Sequence, residues 1–505
     1  MKIYTAEQMK AIDAEAITKY GIDGLLLMEH AAMAVCDVVL DALKGGGRVL
    51  IVCGKGNNGG DGFAVARLLD GHCDGVCVAF FDDAKQLSGD AAKNYALAVT
   101  LGICMVRSME EFEQCLQESD VVVDAMYGFG FRGELNARDG KIAALVNQSG
   151  KYVVAVDMPS GVCADTGACA AAVRANKTVT FTGYKPAQLL FPAADFCGET
   201  VVADIGIPKR VTDQYETAQT IATHFVKSVL PVRARNAHKG ACGKVFVVGG
   251  SRGMSGAVCM SARAAMRSGA GLVTIGVPYC INDIVQQKVT EAMTLPLPED
   301  KNGILCVQAT EKIVSFAAGY DTVVFGPGIG RSAAVVEVLR AVLQLEKRVV
   351  IDADGLYALA QDVDMLKKKK AEVVLTPHHA EMARLAGFDV SYVEQNAIDV
   401  ARAFAKKQSV TVALKGAYTV VAGDKCYVNN SAGNAGMATA GSGDVLSGVA
   451  GALLCTVRDT TAAAACAVYI HALAGDEAQC THGTVSMLAG DIIEGLPGAF
   501  SALHE

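Results

Sequence analysis

The stretch VLIVCGKGNNGGDGFAVARLL, Val49 to Leu69, decides how the first half of this chain folds. An apolar run ends at Cys53, and Gly54-Lys55-Gly56-Asn57-Asn58-Gly59 then satisfies G-x-G-x-x-G ahead of a helical repeat. Asp82 and Asp83 follow at about the spacing of a ribose-binding carboxylate. Asp61 fits that reading badly. Backbone N–H groups and the dipole at such a helix start serve phosphate, whereas here two asparagines and a carboxylate crowd the place. The loop therefore reads an ordinary dinucleotide, some other ligand, or a cation.

Outward from this loop, strands and helices alternate from Arg48 to about Ile207. The strands are RVLIVC, GVCVAFF, DVVVDAM and YVVAVDM, and helices are expected from Asp61, near Ala91 and near Ala143. This is the pattern of a parallel sheet wrapped by helices. Polar residues without a strong period fill Pro208 to Thr223, and the alternation then restarts with GKVFVVGG, GLVTIGV, TVVFGPG, RVVIDADG, AEVVLTP and VTVALKG. Two α/β domains follow, residues 1–212 and 213–505. No fixed-period repeat relates them.

A chain of 505 residues exceeds what one core usually supports. A net charge of −8 gives no electrostatic footprint for nucleic acid and favours small-molecule substrates. Lys367 to Lys370 reads as a solvated helix end. The 17 cysteines are spread evenly with no C-x-x-C and no zinc spacing, so they read as small buried hydrophobes in a reducing cytoplasm. Thr5 and Gln8 mark a capped amphipathic helix at the N-terminus rather than a signal peptide. Val445 to Val457 and Thr460 to Gly475 are too short to span a bilayer and read as closely packed interior helices.

Three loops at strand ends stand out in the first half: GKGNNGGDG, VVVDAMYGFGFRG and VVAVDMPSGVCADTG. In a doubly wound sheet such ends line one crevice. Asn58, Asp124 and Ser160 offer oxygen donors with little positive charge nearby, a set that suits a monovalent cation better than calcium. Asn58 and Ser160 read equally as turn caps. Asp157, at a strand end before Pro159, is well placed for proton transfer.

Together these loops resemble the epimerase domain of the NAD(P)H-hydrate repair enzymes, which restore nicotinamide cofactors whose reduced ring has taken up water. NNGGDG is met by Asn57 to Gly62, the Asp-Ala-x-x-Gly segment by Asp124 to Gly128, and the Asp-x-Pro-Ser-Gly segment by Asp157 to Gly161. The resemblance implies a Rossmann-like doubly wound domain. It implies hydrate contacts at Asn57, Asn58, Gly59, Gly60 and Asp61, at Gly128, Phe129, Gly130, Phe131, Arg132, Gly133 and Glu134, and at Asp157, with potassium at Asn58, Asp124 and Ser160. YGFGFRG departs from the usual LGTGL type, which leaves the site but alters the contacts of Phe129 and Phe131.

The second half carries HKGACGKVFVVGGSRGMSGA, GPGIGRS, VVIDADGL, LTPHHAEMARL, LKGAYT and NAGMATAGSGDVLSG. Gly441-Ser442-Gly443 opens an apolar helix expected from Asp444, and its N–H groups form an anion cradle for a phosphate in transfer. Asp444 reads as a base taking a proton from a substrate hydroxyl, or as a plain N-cap. The six segments resemble the ribokinase-like dehydratase domain of the same family. The resemblance implies that ADP, with magnesium, phosphorylates the hydrate's hydroxyl and that loss of phosphate restores the ring. It puts hydrate contacts at Ala257, Gly328, His378 and Asp444, and nucleotide contacts at Lys415, Gly416, Ala417, Tyr418, Thr419 and Gly443; the catalytic residues expected from their own placement are Asp157 and Asp444. His379-Ala380 stand where the family commonly has Pro-Gly, and Gly355 where it has Ala. His471 reads as a satisfied core residue, and His238 and Lys239 stay unassigned. The competing reading is a small-alcohol or vitamin-precursor kinase fused to a nucleotide-sensing domain. A homo-oligomer with no nucleic-acid or membrane partner is expected.

Overall fold

The computed structural model describes residues 1–504. It resolves into two compact units, Met1–Thr217 with the short segment Glu394–Asn396, and the remainder from Ala218 onward.

The first unit is built on a parallel sheet ordered Cys104–Val106, Gly75–Ala79, Arg48–Cys53, Val121–Ala125, Tyr152–Val156, Lys177–Phe181 and Glu199–Ala203. Alternate residues of the central strand face opposite cores. Val49, Ile51 and Cys53 join one cluster while Leu50 and Val52 join the other, the two-sided burial that makes parallel strands continuously apolar. Strand order reverses at Arg48–Cys53, whose neighbours are Gly75–Ala79 and Val121–Ala125, so the crevice of a doubly wound fold opens at its C-terminal end.

The helix expected from Asp61 begins earlier, at Asn57, and runs to Leu69 behind the N-cap Gly56. Asn-Asn-Gly-Gly is a poor helix former by propensity, but a close approach decides the matter. A Cβ on Gly59 would strike the carbonyl of Gly54, so only glycine lets this first turn settle on the strand end. Asp61 consequently lies inside the helix and is buried. The helices expected near Ala91 and Ala143 span Gly89–Thr100 and Ala137–Gln148. Thr5 and Gln8 close a capping box at 3.2 and 3.0 Å.

In the second unit the sheet runs Ala218–Thr220, Cys426–Asn429, Thr419–Ala422, Thr411–Leu414, Glu372–Leu375, Arg348–Ile351, Thr322–Phe325, Lys244–Val248, Leu272–Pro278 and Met293–Leu297. Only the pairings of Thr419–Ala422 are antiparallel. Sequence reading missed the hairpin Thr419–Ala422/Cys426–Asn429, which carries no helix between its strands, and the short strands Ala218–Thr220 and Met293–Leu297. The apolar helices are interior: Ser442–Thr456 packs Val445, Val449 and Leu453 into the core, and Thr460–Ser486 brings Ala463 to Ala467 beside them.

Two expectations need correction. All 17 cysteines are free, but only Cys36, Cys53, Cys197, Cys259, Cys426 and Cys466 are buried, while Cys104 and Cys480 are exposed. In the lysine run, Lys369 is half-buried and donates to the carbonyl of Gln408 at 3.1 Å. Among the described residues no helix is long and apolar enough to cross a membrane.

Candidate active sites

The first site gathers where Arg48–Cys53, Val121–Ala125 and Tyr152–Val156 end. Asp124 is buried, and Ser160 holds it twice, through Oγ to Oδ1 at 2.6 Å and through its N–H to Oδ2 at 2.7 Å. The N–H of Tyr127 donates to Ser160 Oγ at 3.0 Å, so the second loop hangs on the same pair. Burial pushes the Asp124 carboxyl up to about 6 against these hydrogen bonds. No cationic side chain contributes to its environment.

Asp157 stands 3 % exposed with a φ of 64°, a left-handed conformation rare for a non-glycine and typical of functional strain. Its N–H donates to Val179 O at 2.8 Å, and its own carbonyl accepts from Gln188 Nε2 at 2.9 Å, so both peptide ends are held. Its Oδ2 accepts from the N–H of Phe129 at 2.8 Å. Its Oδ1 accepts from Lys185 Nζ at 2.7 Å and from Thr180 Oγ1 at 3.2 Å.

Asn58, Gly128 and Asp157 converge. A Cβ on Gly128 would lie 2.9 Å from Asn58 Oδ1 and 3.0 Å from Asp157 Oδ2, so the two oxygens meet over Gly128 and only glycine admits both. The Asn58 side chain caps no turn, since the N-cap is Gly56 and the buried Nδ2 has no hydrogen-bond partner. Asp61 is buried beside Asp157 and Asp13, and burial first, then those charges, hold its carboxyl well above the usual carboxylate range. Farther out, Phe131 is buried, while Gly130, Arg132, Gly133 and Glu134 are exposed. Arg132 pairs with Asp165 at 2.8 Å.

The second site forms at the strand ends of the other unit. Gly441, at a φ of 93°, is the N-cap of Ser442–Thr456, so Asp444 is the third residue of the helix and not its cap. Burial, then Asp352, push the Asp444 carboxyl up to about 7, with Lys415 opposing. Lys415 Nζ donates to Asp352 Oδ1 at 2.8 Å and lies 3.0 Å from where a Cβ on Gly443 would sit, so its ammonium faces the cradle. Burial alone would lower the Lys415 ammonium, but the carboxylates of Asp352 and Glu381 outweigh it and raise it.

His378 caps the helix His379–Ala386 through Nδ1, which accepts from the N–H groups of Ala380 and Glu381 at 3.1 and 3.4 Å. A lone pair used this way leaves no proton on Nδ1, and burial followed by the Lys415 charge lowers the ring's pKa. Ala257 and Gly328 meet, a Cβ on Gly328 falling 3.1 Å from that of Ala257. His379, at the position of the family's usual Pro, lies against Gly416, whose Cβ would fall 3.1 Å from the ring. Gly355 leaves no space for the usual Ala, as a Cβ would stand 2.8 Å from Phe325 O.

His471 is buried and pairs with Ser442 Oγ at 3.3 Å, and burial brings its pKa down to about 4. His238 and Lys239 lie on an exposed stretch. Asp354 turns to Arg331 at 2.8 Å. Sequence reasoning missed Lys185, Asp13 and the pairing role of Asp352. Only Asp352 left a signal, as the residue directly after the strand VVI.

Comparison with known proteins assigns a family to each half of the chain. A family described as NAD(P)H-hydrate dehydratase matches residues 245–498, and one described as YjeF-related protein N-terminus matches residues 24–187. The bifunctional NAD(P)H-hydrate repair enzyme Nnr of Moorella thermoacetica is 37 % identical over 100 % of this chain and 98 % of its own. That of Coxiella burnetii is 34 % identical over 97 % of each. The ADP/ATP-dependent NAD(P)H-hydrate dehydratase of Bacillus subtilis, co-crystallised with ATP and magnesium, superposes with a TM-score of 0.50 at 28 % identity, covering 57 % of this chain and 99 % of that one. These likenesses favour repair over the small-alcohol kinase. With an epimerase-type unit followed by a ribokinase-like dehydratase unit, the chain belongs to the bifunctional NAD(P)H-hydrate repair enzymes.

Proposed function

We propose that residues 1–212 interconvert the two epimers of hydrated NADH or NADPH and that residues 213–505 return the S-epimer to NAD(P)H at the expense of ADP, giving AMP and phosphate. The observation that carries this reading is Asp444, a half-buried carboxylate in the first turn of a glycine-opened helix, with the Lys415 ammonium facing the same turn. Water is a poor leaving group and phosphate a good one. The cradle of Gly441 to Gly443 holds the phosphoryl group, Asp444 takes the proton of the attacking hydroxyl, and AMP leaves. The C–O bond of the phosphorylated hydrate then breaks, inorganic phosphate departs, and loss of a ring proton restores the double bond. Lys415 to Thr419 line the nucleotide side, and Ala257, Gly328 and His378 the hydrate side. Among the described residues no three His, Cys, Asp or Glu side chains form a metal cage, which suits a magnesium held mainly by phosphate oxygens and water.

In the first unit, inversion requires the C–O bond to break and re-form on the other face, with a proton given to the departing hydroxyl and taken from the incoming water. Asp61, whose carboxyl burial and its neighbours hold well above the usual range, is the donor, and Asp157, paired with Lys185, the acceptor. Asn57 to Asp61 and Gly128 to Glu134 contact the hydrate. Potassium fits beside them: Asp124 is a buried carboxylate without a cationic partner, and Asn58 and Ser160 supply neutral oxygens. When bound, the ion balances the Asp124 charge. The exposed apolar residues Leu26, Met33, Leu97 and Leu101 support a homo-oligomer, and the free thiols support a cytoplasmic enzyme.

The test is the purified full chain with an epimer mixture of NADH-hydrate and either ADP or ATP, followed by recovery of NADH absorbance. Complete conversion of both epimers is expected with nucleotide, and epimer exchange alone without it. No nucleotide-dependent recovery would remove the reading.

A further inference from the structure

Asp157 is only one member of a buried cluster. Three carboxylates from separate elements approach each other: Asp13 on the helix Ala6–Thr18, Asp61 on Asn57–Leu69, and Asp157 after Tyr152–Val156. The charges of Asp157 and Asp13 reach Asp61, and those of Lys185 and Asp157 reach Asp13. Lys185 is the one cation in these interactions and is fully buried. Its Nζ uses three bonds: 2.7 Å to Asp157 Oδ1, 2.7 Å to Thr180 Oγ1 and 3.1 Å to Phe181 O. Its main-chain N–H donates to Gln188 Oε1 at 2.9 Å, and Gln188 Nε2 returns to the carbonyl of Asp157 at 2.9 Å. The lysine therefore grips Asp157 at both the carboxylate and the backbone that holds its left-handed φ.

An ammonium with all three protons directed inward has no spare donor for a ligand. Its effect is on Asp157. Oδ1 is occupied by Lys185 and Thr180, so Oδ2 is the oxygen turned toward the loop of Gly128 and Phe129, beside Asn58 Oδ1. We propose that Lys185 is the positioning residue of the epimerase site, fixing Asp157 as the proton acceptor with Oδ2 toward the hydrate. Of the three carboxylates Lys185 bonds only Asp157, at 2.7 Å, so the three are held unequally. Burial, only partly offset by Lys185, pushes Asp13 up to about 6. This inference rests on the epimerase reading of the first unit.

Epimerisation by full-length wild type, Lys185→Met and Thr180→Val is followed by chromatographic separation of the two hydrate epimers, without nucleotide, across pH 5 to 9. Wild type that fails to exchange the epimers refutes the epimerase reading itself. Given an active wild type, Lys185→Met is expected to lose about a hundredfold or more in kcat at neutral pH, with KM within about threefold. The acidic limb of its kcat profile should move up by about one pH unit or more, because the acceptor has lost its cation. Thr180→Val, which keeps every charge and removes one bond from each partner, should lose about three- to tenfold with its limb displaced the same way. A Lys185→Met enzyme within about threefold of wild type, or one that loses rate with an unmoved limb, overturns the proposal. Should Lys185→Met not fold, a Thr180→Val profile identical to wild type overturns it equally.

Discussion

Replacing Asp444 by Asn removes a base and leaves the rest of the cradle almost untouched, since the two side chains differ by one proton-accepting oxygen. Loss of a general base typically costs about a hundred- to ten-thousandfold in rate, or about 3 to 5.5 kcal/mol of barrier. With a carboxyl at about 7, wild-type dehydration rises roughly tenfold per pH unit below that point and levels above it. Asp444→Asn should be slow and flat across the same range. The residue also has a stability signature. A carboxyl whose folded pKa lies above its unfolded value of 3.8 contributes stability that is fully present below pH 4 and is lost as pH rises through about 7. Three units correspond to about 4 kcal/mol, and partial exposure reduces this to about 2 kcal/mol. Asp444→Asn should therefore melt roughly 4 to 8 °C above wild type at pH 8, with the gap closing toward pH 4. Nucleotide-dependent recovery of NADH and thermal melting at both pH values measure the two effects. A variant within about threefold of wild-type rate would show that the kinase-like step uses another base.

Other outcomes follow from the same geometry. Asp124→Ala should slow epimerisation and abolish its response to added potassium, while dehydration of the S-epimer stays at wild-type rate; titration with potassium chloride against a sodium control reads both. Gly128→Ala puts a methyl 2.9 Å from Asn58 Oδ1 and 3.0 Å from Asp157 Oδ2, so epimerase kcat should fall by about tenfold or more with little change in melting temperature. Because the units carry separate cores, a fragment ending at Thr217 should exchange epimers without nucleotide. One starting at Ala218 should consume a single epimer and stop, which spectrophotometry shows as a plateau short of full recovery.

The central strands and loop positions were legible because they are local: an apolar run followed by glycine and asparagine, or by Asp-Met-Pro-Ser-Gly, already contains the turn that ends a strand. The start of the helix at Asn57 was not, since Asn and Gly disfavour helix and only the close packing of Gly59 on Gly54 reverses that preference. Asp444 reads in the sequence both as base and as cap, and the left-handed Gly441 removes the second reading by taking the N-cap itself. Lys185 escaped altogether. A single lysine in TGYKPAQ carries no pattern, and its burial against Asp157 exists only once the chain has brought residues 157 and 185 together. Asp352 was visible beside Asp354 in VVIDADG, but which of the two turns inward depends on where Lys415 and Arg331 lie.

The bond between Ser442 and His471 separates two properties that most phosphate sites combine. An imidazole beside a phosphate cradle ordinarily gains a charge as the medium acidifies, and anion affinity rises with it. Here burial keeps the ring neutral down to about 4, and the cradle's attraction comes from backbone dipoles and from Lys415, neither of which titrates near neutrality. His471 hence adds no acid-driven gain in anion affinity, and the pH response of the cradle is left to the Asp444 carboxyl. A phosphate site built this way answers acidification through its carboxylate alone, with no imidazolium recruited to hold the anion more tightly.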